Sequence, residues 1–187
     1  MTNLSELKIF IVERDTFSAS VLKQAFFEFP NVMVVNADIK VFFKEHQSEI
    51  DCLVSPANAF GYMNGGFDAA LSDILGWSFQ KKVQRYIKDH FYGEQGIGTR
   101  FIIDTDIPNL RLIHTPTMQY SSLIKDPLIV YYAMRSTLMC ALENDIKSIV
   151  IPLFGGYYGG LDAEVAAKHM RDAYGQMLGR LGARTES

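Results

Sequence analysis

The chain has 187 residues, of which 48% are hydrophobic and 21% charged, so it is long enough for one globular domain with a sizeable core. Its net charge of −3 and its dispersed charges argue against a nucleic-acid partner, because nucleic-acid-binding domains usually carry basic clusters. Cys52 and Cys140 lie among apolar neighbours, which predicts reduced, buried thiols and no metal site. The sequence shows neither a signal-like segment nor a long apolar run, so we predict no membrane span and a cytoplasmic location.

The first part of the chain alternates short β-rich runs with helical patterns. We predict strands at 8–13 and 32–35, each followed by a helix, at 17–27 and 39–46. Asp38 therefore stands at the carboxyl end of a strand and just before a helix. From the residues alone it can serve a ligand or cap that helix.

The stretch from 50 to 76 combines a buried strand, a glycine-rich loop and a helix. The apolar strand passes directly into Ser55-Pro56-Ala57-Asn58 and then into Asn64-Gly65-Gly66, and helical spacing resumes from a helix start near Asp68. Paired glycines allow close approach of the backbone, and a helix N-terminus offers unpaired N–H groups and a positive dipole end. The order suits a bound phosphate, although an ordinary βα turn remains the alternative.

The second part of the chain continues the alternation and ends in a second glycine loop and a helix. We predict helices at 78–91, 127–144 and 162 to about 181, a β-hairpin-like pair at 99–103 and 110–115, and a strand at 148–153. The second glycine loop follows that strand at 155–160. Since no repeat or linker divides the sequence, we predict a single domain spanning residues 1–187.

Strands alternating with helices predict a three-layer α/β domain, in which ligands bind at the carboxyl ends of neighbouring strands. Three such ends carry polar or glycine-rich sequence: Asp38, the 58–68 loop and the 155–160 loop. If those strands are neighbours, a carboxylate, an amide and two anion-binding loops meet in one crevice, as a nucleotide diphosphate requires. No Walker lysine motif is present, and Gly65-Gly66 does not match the dinucleotide fingerprint.

Three motifs resemble the macro domain, an ADP-ribose-binding α/β module. They are Ala37-Asp38-Ile39, the segment VSPANAFGYMNGGFDAAL at 54–71, and the segment PLFGGYYGGLDAEVA at 152–166. The sequence is similar to a bacterial and phage branch in which the asparagine loop reads Ser-Pro-Ala-Asn. The resemblance implies a three-layer α/β/α fold with a mixed central sheet.

The resemblance also implies site residues. Asp38 matches the acid that binds the adenine amino group, Ile39 matches a position that contacts the ligand through its backbone, and Asn58 matches the asparagine at the distal ribose. Asp68 matches an acid that hydrolytic members use near the same ribose, so Asn58 and Asp68 are the catalytic candidates. The phosphate loops would comprise Gly65, Gly66 and Phe67 in the first and Gly155, Gly156, Tyr157, Tyr158 and Gly159 in the second.

The second loop departs from the family pattern. At Gly156, Tyr157 and Tyr158, related sequences carry Thr, Gly and Val, so this loop is bulkier than the family's. The tyrosines could stack on a ribose, lie over the diphosphate or cover neighbouring apolar surface.

Other interpretations remain for the remaining candidates. Asn58 could form hydrogen bonds only with its own loop backbone, and Asp68 could be only a first-turn acid that interacts favourably with the helix dipole. His114 lies on a predicted strand and is more easily interpreted as a packed histidine than as a base. The resemblance leaves open a hydrolase acting at the distal ribose of an ADP-ribose derivative, a reader of ADP-ribose or of ADP-ribosylated protein, and an interaction module with a degenerate pocket. None of these requires a cofactor.

Overall fold

The computed structural model describes residues 3–179, in which six strands and six α-helices follow one another along the chain. The strands are β1 (Lys8–Glu13), β2 (Val32–Asn36), β3 (Cys52–Ser55), β4 (Phe101–Asp104), β5 (Arg111–His114) and β6 (Ser148–Ile151). The helices are α1 (Thr16–Phe26), α2 (Ile39–His46), α3 (Gly66–Leu75), α4 (Phe79–Phe91), α5 (Leu128–Glu143) and α6 (Ala163–Met177).

The strands form one mixed sheet in the order β2-β1-β6-β3-β5-β4. Neighbours are parallel from β2 through β5, and only the edge strand β4 runs antiparallel to its partner β5. The predicted α/β fold with a mixed central sheet and the predicted hairpin-like pair are therefore confirmed. Because the parallel strands point the same way, the loops that follow them share one edge of the sheet.

Two apolar cores lie on opposite faces of the sheet, and alternation along β1 illustrates the division. Ile9 and Ile11 face the core covered by α1, α5 and α6, whereas Phe10 and Val12 face the core covered by α2, α3 and α4. A strand buried on both faces needs apolar side chains at every position, which explains the unbroken apolar runs in the sequence. The sheet is thus the middle of three layers.

Several helix details differ from the sequence predictions. The helix expected to begin near Asp68 begins at Gly66, and the backbone N–H of Ala69 already donates to the Gly65 carbonyl at 3.2 Å. Glycine carries no helix signal, so spacing alone missed this first turn. The apolar spacing of the 127–144 helix also predicts that Leu128 faces inward, but the residue is 41% exposed. The predicted end of the last helix near residue 181 lies outside the described residues.

Both cysteines are free and buried, as predicted. Burial raises the pKa of the Cys52 thiol, and raises that of Cys140 to about 11, so both are neutral thiols at physiological pH. Among the helices of residues 3–179, none combines the length and apolar character needed to cross a membrane.

Candidate functional site

Two adjoining clefts lie along the carboxyl edge of the sheet. Cleft A, between the loop after β3 and the loop after β6, holds about 600 Å³ of space, part of it open to solvent. Cleft B, between the ends of β1 and β2 and the start of α3, holds about 550 Å³. The two share four lining residues, namely Phe67, Pro152, Leu153 and Tyr157. Together they form one trough, and these residues are their shared boundary.

Every site residue expected from the sequence lines this trough. Cleft A is lined by Asn58, Gly65, Phe67, Asp68, Gly155, Gly156, Tyr157, Tyr158 and Gly159. Cleft B is lined by Asp38, Ile39, Gly66, Phe67 and Tyr157. The three strand ends converge although their strands are not all neighbours, because β1 lies between β2 and β6. The end of β1 is therefore part of the site.

The N-terminus of α3 opens onto the middle of the trough. Gly65 is the N-cap and has no side chain to accept the helix's first N–H groups, while Gly66 adopts a left-handed φ of +54°. Such a φ is strained for residues with a Cβ atom. The first turn thus presents free donors and the positive end of the helix dipole, which together attract an anion.

The second glycine loop folds tightly back on itself. The N–H of Leu161 donates to the Gly155 carbonyl at 3.1 Å, and that of Ile124 donates to the Gly159 carbonyl at 2.9 Å. A Cβ atom at Gly159 would lie 2.5 Å from the Gly155 carbonyl oxygen, so no larger residue fits there. These contacts fix the backbone on either side of the two tyrosines.

The tyrosines of that loop lie over the first glycine loop. A Cβ atom at Gly66 would lie 3.0 Å from Cε2 of Tyr158, and one at Gly65 would lie 3.3 Å from the same atom. Tyr157 meets Tyr158 edge to face, with ring centroids 5.2 Å apart, and remains 67% exposed. Tyr158 therefore covers the glycines at the N-terminus of α3 in this conformation.

Asp38 caps α2, so the alternative left open by the sequence is realised. The backbone N–H of Lys40 donates to Oδ1 of Asp38 at 2.8 Å. The carboxylate is only half-buried and also lines cleft B, and it has more acceptor sites than the cap uses. Capping and ligand binding are compatible here.

Asn58 is buried and holds its own loop together. Its Oδ1 accepts from the N–H groups of Phe60 at 3.1 Å and Tyr62 at 3.3 Å, and its Nδ2 donates to the Tyr62 carbonyl at 3.2 Å. These bonds use one of the two amide N–H donors. The second donor is not used by them, and the residue lines cleft A.

Asp68 combines burial with a perturbed pKa. It is 7% exposed, and Oγ of Ser55 at the end of β3 donates to its Oδ1 at 2.5 Å. Burial raises the pKa of Asp68 to about 7, while the Ser55 bond acts in the opposite direction. A carboxyl group with this pKa can take up and release a proton near neutral pH.

Glu13 and Arg14, at the end of β1, are site residues that our sequence reasoning missed. Both line cleft B, and the guanidinium carbon of Arg14 lies 4.9 Å from the ring centroid of Tyr157. Burial raises the pKa of Glu13, whose Oε1 accepts from the N–H of Asp15 at 2.7 Å. A signal was available, because polar residues directly follow an apolar parallel strand whose end must reach the same edge.

A second omission is the loop after β5. Met118 forms a parallel bridge with Asn58, and Thr117 and Met118 both line cleft A. The part of this loop from 115 to 124 carries no glycine or charge, so nothing in its composition distinguished it from an ordinary connection.

His114 is a packed residue, as its position on a strand suggested. It is fully buried, its Nδ1 lies 2.5 Å from Oε1 of Gln95, and burial lowers its pKa to about 3, which keeps it neutral. Within residues 3–179 no three His, Cys, Asp or Glu side chains are grouped so that they could hold a metal ion.

A family model and a bacterial relative both match most of the chain. The family model described as Macro domain matches residues 54–170, a segment that includes the first glycine loop, Asp68 and the second glycine loop. An uncharacterized protein of Aquifex aeolicus (strain VF5) is 29% identical over 138 residues, which cover 71% of this chain and 78% of the relative.

Solved structures with the same fold include two bacterial macrodomains. The macrodomain of Mycobacterium tuberculosis DarG superposes with a TM-score of 0.58 at 22% identity, covering 69% of this chain and 84% of that one. A mutant macrodomain of Oceanobacillus iheyensis, solved with ADPR (ADP-ribose), superposes with a TM-score of 0.62 at 20% identity, covering 72% of this chain and 74% of that one.

Proposed function

Because the chain belongs to the macro domain family, we propose that it binds ADP-ribose or an ADP-ribose derivative in the trough formed by clefts A and B, as a single domain spanning residues 1–187. The observation that carries this proposal is the order in which acidic, anion-binding and amide groups follow one another along the trough. An acid lies in cleft B, an uncapped helix N-terminus lies in the middle, and a buried amide and carboxyl lie in cleft A.

Each part of the ligand has a partner of suitable chemistry. The adenine amine would donate to Asp38 in cleft B, where a base lacking this donor would leave the carboxylate unpaired. The diphosphate would lie across Gly65 and Gly66, whose N–H groups and helix dipole favour an anion. The distal ribose would enter cleft A, where the unused N–H donor of Asn58 can bond a hydroxyl group.

We further propose that the domain hydrolyses a bond at the distal ribose of its ligand, with Asp68 as the group that accepts a proton from water. The support is a carboxyl group that lines cleft A and whose pKa is raised by burial to about 7. As a carboxylate it would accept a proton from the attacking water, and Asn58 would orient the ribose. The hydroxide would add to the ribose side, and the proton would pass to the leaving group, which is a small molecule or the side chain of the modified protein.

A reader without turnover is a second candidate, and two observations favour it. Tyr158 covers Gly65 and Gly66, and the loop backbone already engages most of the polar atoms of Asn58. A ring that must move aside before a phosphate can reach the glycines, and an amide held by its own loop, both disfavour the precise positioning that turnover requires. A product assay on an ADP-ribosylated protein separates the candidates, since only the hydrolase releases ADP-ribose with time.

The binding proposal is tested by calorimetry with ADP-ribose and AMP. We expect ADP-ribose to bind at least ~10-fold more tightly than AMP, because AMP lacks the second phosphate and the distal ribose. One hydrogen bond to a charged group contributes about 1.5–3 kcal/mol, which is enough for this difference. Absence of heat and of any melting shift at millimolar ADP-ribose would contradict the proposal.

Replacing Asp38 by alanine should weaken ADP-ribose binding by about 1–3 kcal/mol through loss of the adenine contact. The same change removes the cap of α2, which costs about 0.5–2 kcal/mol of stability. Asp15→Ala is the matched control, because Asp15 caps α1 through the Ser18 N–H and lies outside both clefts. It should lose comparable stability and keep wild-type affinity. An analogue of ADP-ribose with inosine in place of adenosine lacks the adenine amino group. If the wild type bound this analogue as tightly as ADP-ribose, Asp38 would not be the residue that recognises adenine.

A further inference from the structure

Positive charge is scarce around the trough. Of the described residues that line either cleft, Arg14 is the only lysine or arginine. The same residues include three carboxyl groups, those of Glu13, Asp38 and Asp68. A ligand that carries two phosphate charges therefore meets more acidic than basic side chains, and the half-charge of one helix N-terminus offsets only part of this.

Arg14 lies where a charge would be most useful. It borders cleft B together with Gly66, the residue at the start of α3, and its guanidinium carbon stands 4.9 Å from the ring centroid of Tyr157. Tyr157 in turn lines both clefts and so lies at their shared boundary. The diphosphate of a ligand that spans both clefts must cross this boundary.

The contact with Tyr157 also orients the arginine. A cation over an aromatic face is attracted by the ring, and the flat guanidinium group stacks there more readily than an ammonium group. Within residues 3–179 Arg14 forms no ion pair with a carboxylate, although its charge acts on Glu13, so its donors are not committed to Glu13 or Asp38. The side chain is exposed and can turn from the ring toward a phosphate.

We propose that Arg14 supplies the positive charge that the bound diphosphate requires, so that this site selects nucleoside diphosphate ligands over the corresponding nucleoside. The inference rests on the proposed function, since it assigns a recognition residue to the same trough. Tyr157 is the positioning residue that holds the guanidinium group at the boundary of the clefts before the ligand arrives.

The test compares Arg14→Gln and Arg14→Lys with wild type, using ADP-ribose and adenosine as ligands. We expect Arg14→Gln to bind ADP-ribose about 5- to 20-fold more weakly, the scale of one charge-assisted contact, and adenosine with unchanged affinity. Arg14→Lys should recover part of the ADP-ribose affinity, because it keeps the charge but stacks less readily on Tyr157. Added sodium chloride should weaken wild-type binding more steeply than binding by Arg14→Gln, since salt screens an exposed charge.

Arg85→Gln is the matched control. Arg85 is exposed on α4 and lies outside both clefts, so this variant has the same net charge as Arg14→Gln but should bind like wild type. Melting temperatures identify any variant with altered folding.

The outcomes separate the two claims. Wild-type protein that binds ADP-ribose, together with an Arg14→Gln variant of equal affinity, overturns the role of Arg14 and leaves the proposed function standing. Equal losses for ADP-ribose and adenosine, or an Arg14→Lys variant as weak as Arg14→Gln, also overturn it, since packing and not charge would then be responsible. Failure of wild type to bind ADP-ribose removes both claims.

Discussion

Gly66→Glu is expected to weaken ADP-ribose binding by ~100-fold or more, since like charges brought together at an interface cost several kcal/mol. The glutamate would set a negative charge at the N-terminus of α3, where the diphosphate is proposed to lie. Its side chain would also enter the space below Tyr158, because a Cβ atom at this position already lies 3.0 Å from Cε2 of that ring. Isothermal titration of the variant beside wild type measures the effect.

The same substitution strains the backbone, and this must be separated from the loss of binding. Gly66 has a φ of +54°, and a residue with a Cβ atom in this region costs about 1–2 kcal/mol. Gly179→Glu is a suitable control, because Gly179 has a φ of +69° and an added Cβ atom there meets nothing within 4 Å. It should lose similar stability and keep its affinity. A folded Gly66→Glu variant with wild-type affinity would mean that the ligand site lies elsewhere.

Asp68→Asn is expected to lower turnover of an ADP-ribosylated substrate by roughly 10²–10⁴-fold, the contribution of a positioned proton acceptor. Asparagine has the same size and can still accept the Ser55 hydrogen bond, so ligand affinity should change little. Turnover falls because asparagine cannot take up a proton. In wild type, kcat/KM should rise with pH and level off above the Asp68 pKa of about 7. Asp73→Asn, on the exposed side of α3, should have wild-type activity.

The raised pKa of Asp68 also predicts how stability depends on pH. The folded state binds the Asp68 proton more tightly than the unfolded state, whose pKa lies near 3.8, so the contribution of Asp68 to wild-type stability should fall as pH rises from about 4 to 7. Asp68→Asn lacks this titration. Its melting temperature should match wild type near pH 4 and exceed it by a growing margin up to about pH 7. A margin independent of pH would show that Asp68 keeps an ordinary pKa in the folded protein.

The sequence was most informative where local signals agree with the fold. Apolar runs such as 8–13 and 148–153 identify strands buried on both faces, and β1 and β6 lie within them. Asp38 and the glycine loops were recognisable because each lies in the segment that follows a strand, and in a parallel sheet those ends share an edge. The location of the candidate site therefore followed from the order of elements.

Features that depend on tertiary neighbours were not predictable in the same way. The end of β1 could be placed at this edge of the sheet from the sequence, but nothing local shows that β1 lies between β2 and β6, which is what puts Arg14 within the trough. Nor does the sequence of the second loop reveal that Tyr158 lies over Gly66, because the direction of a loop side chain depends on its packing. The start of α3 at Gly66 was missed for a simpler reason, since glycine carries no helix signal.

The central claim, that ADP-ribose occupies the trough at the carboxyl edge of the sheet, is tested most directly by backbone amide NMR during an ADP-ribose titration. We predict the largest shift changes at Gly65, Gly66 and residues 155–159, with further changes at Ile39. The acidic turn at 104–110 lies at the start of β5, on the opposite edge, and should not respond. Changes confined to that turn, or saturable binding without any change at the glycine loops, would contradict the account.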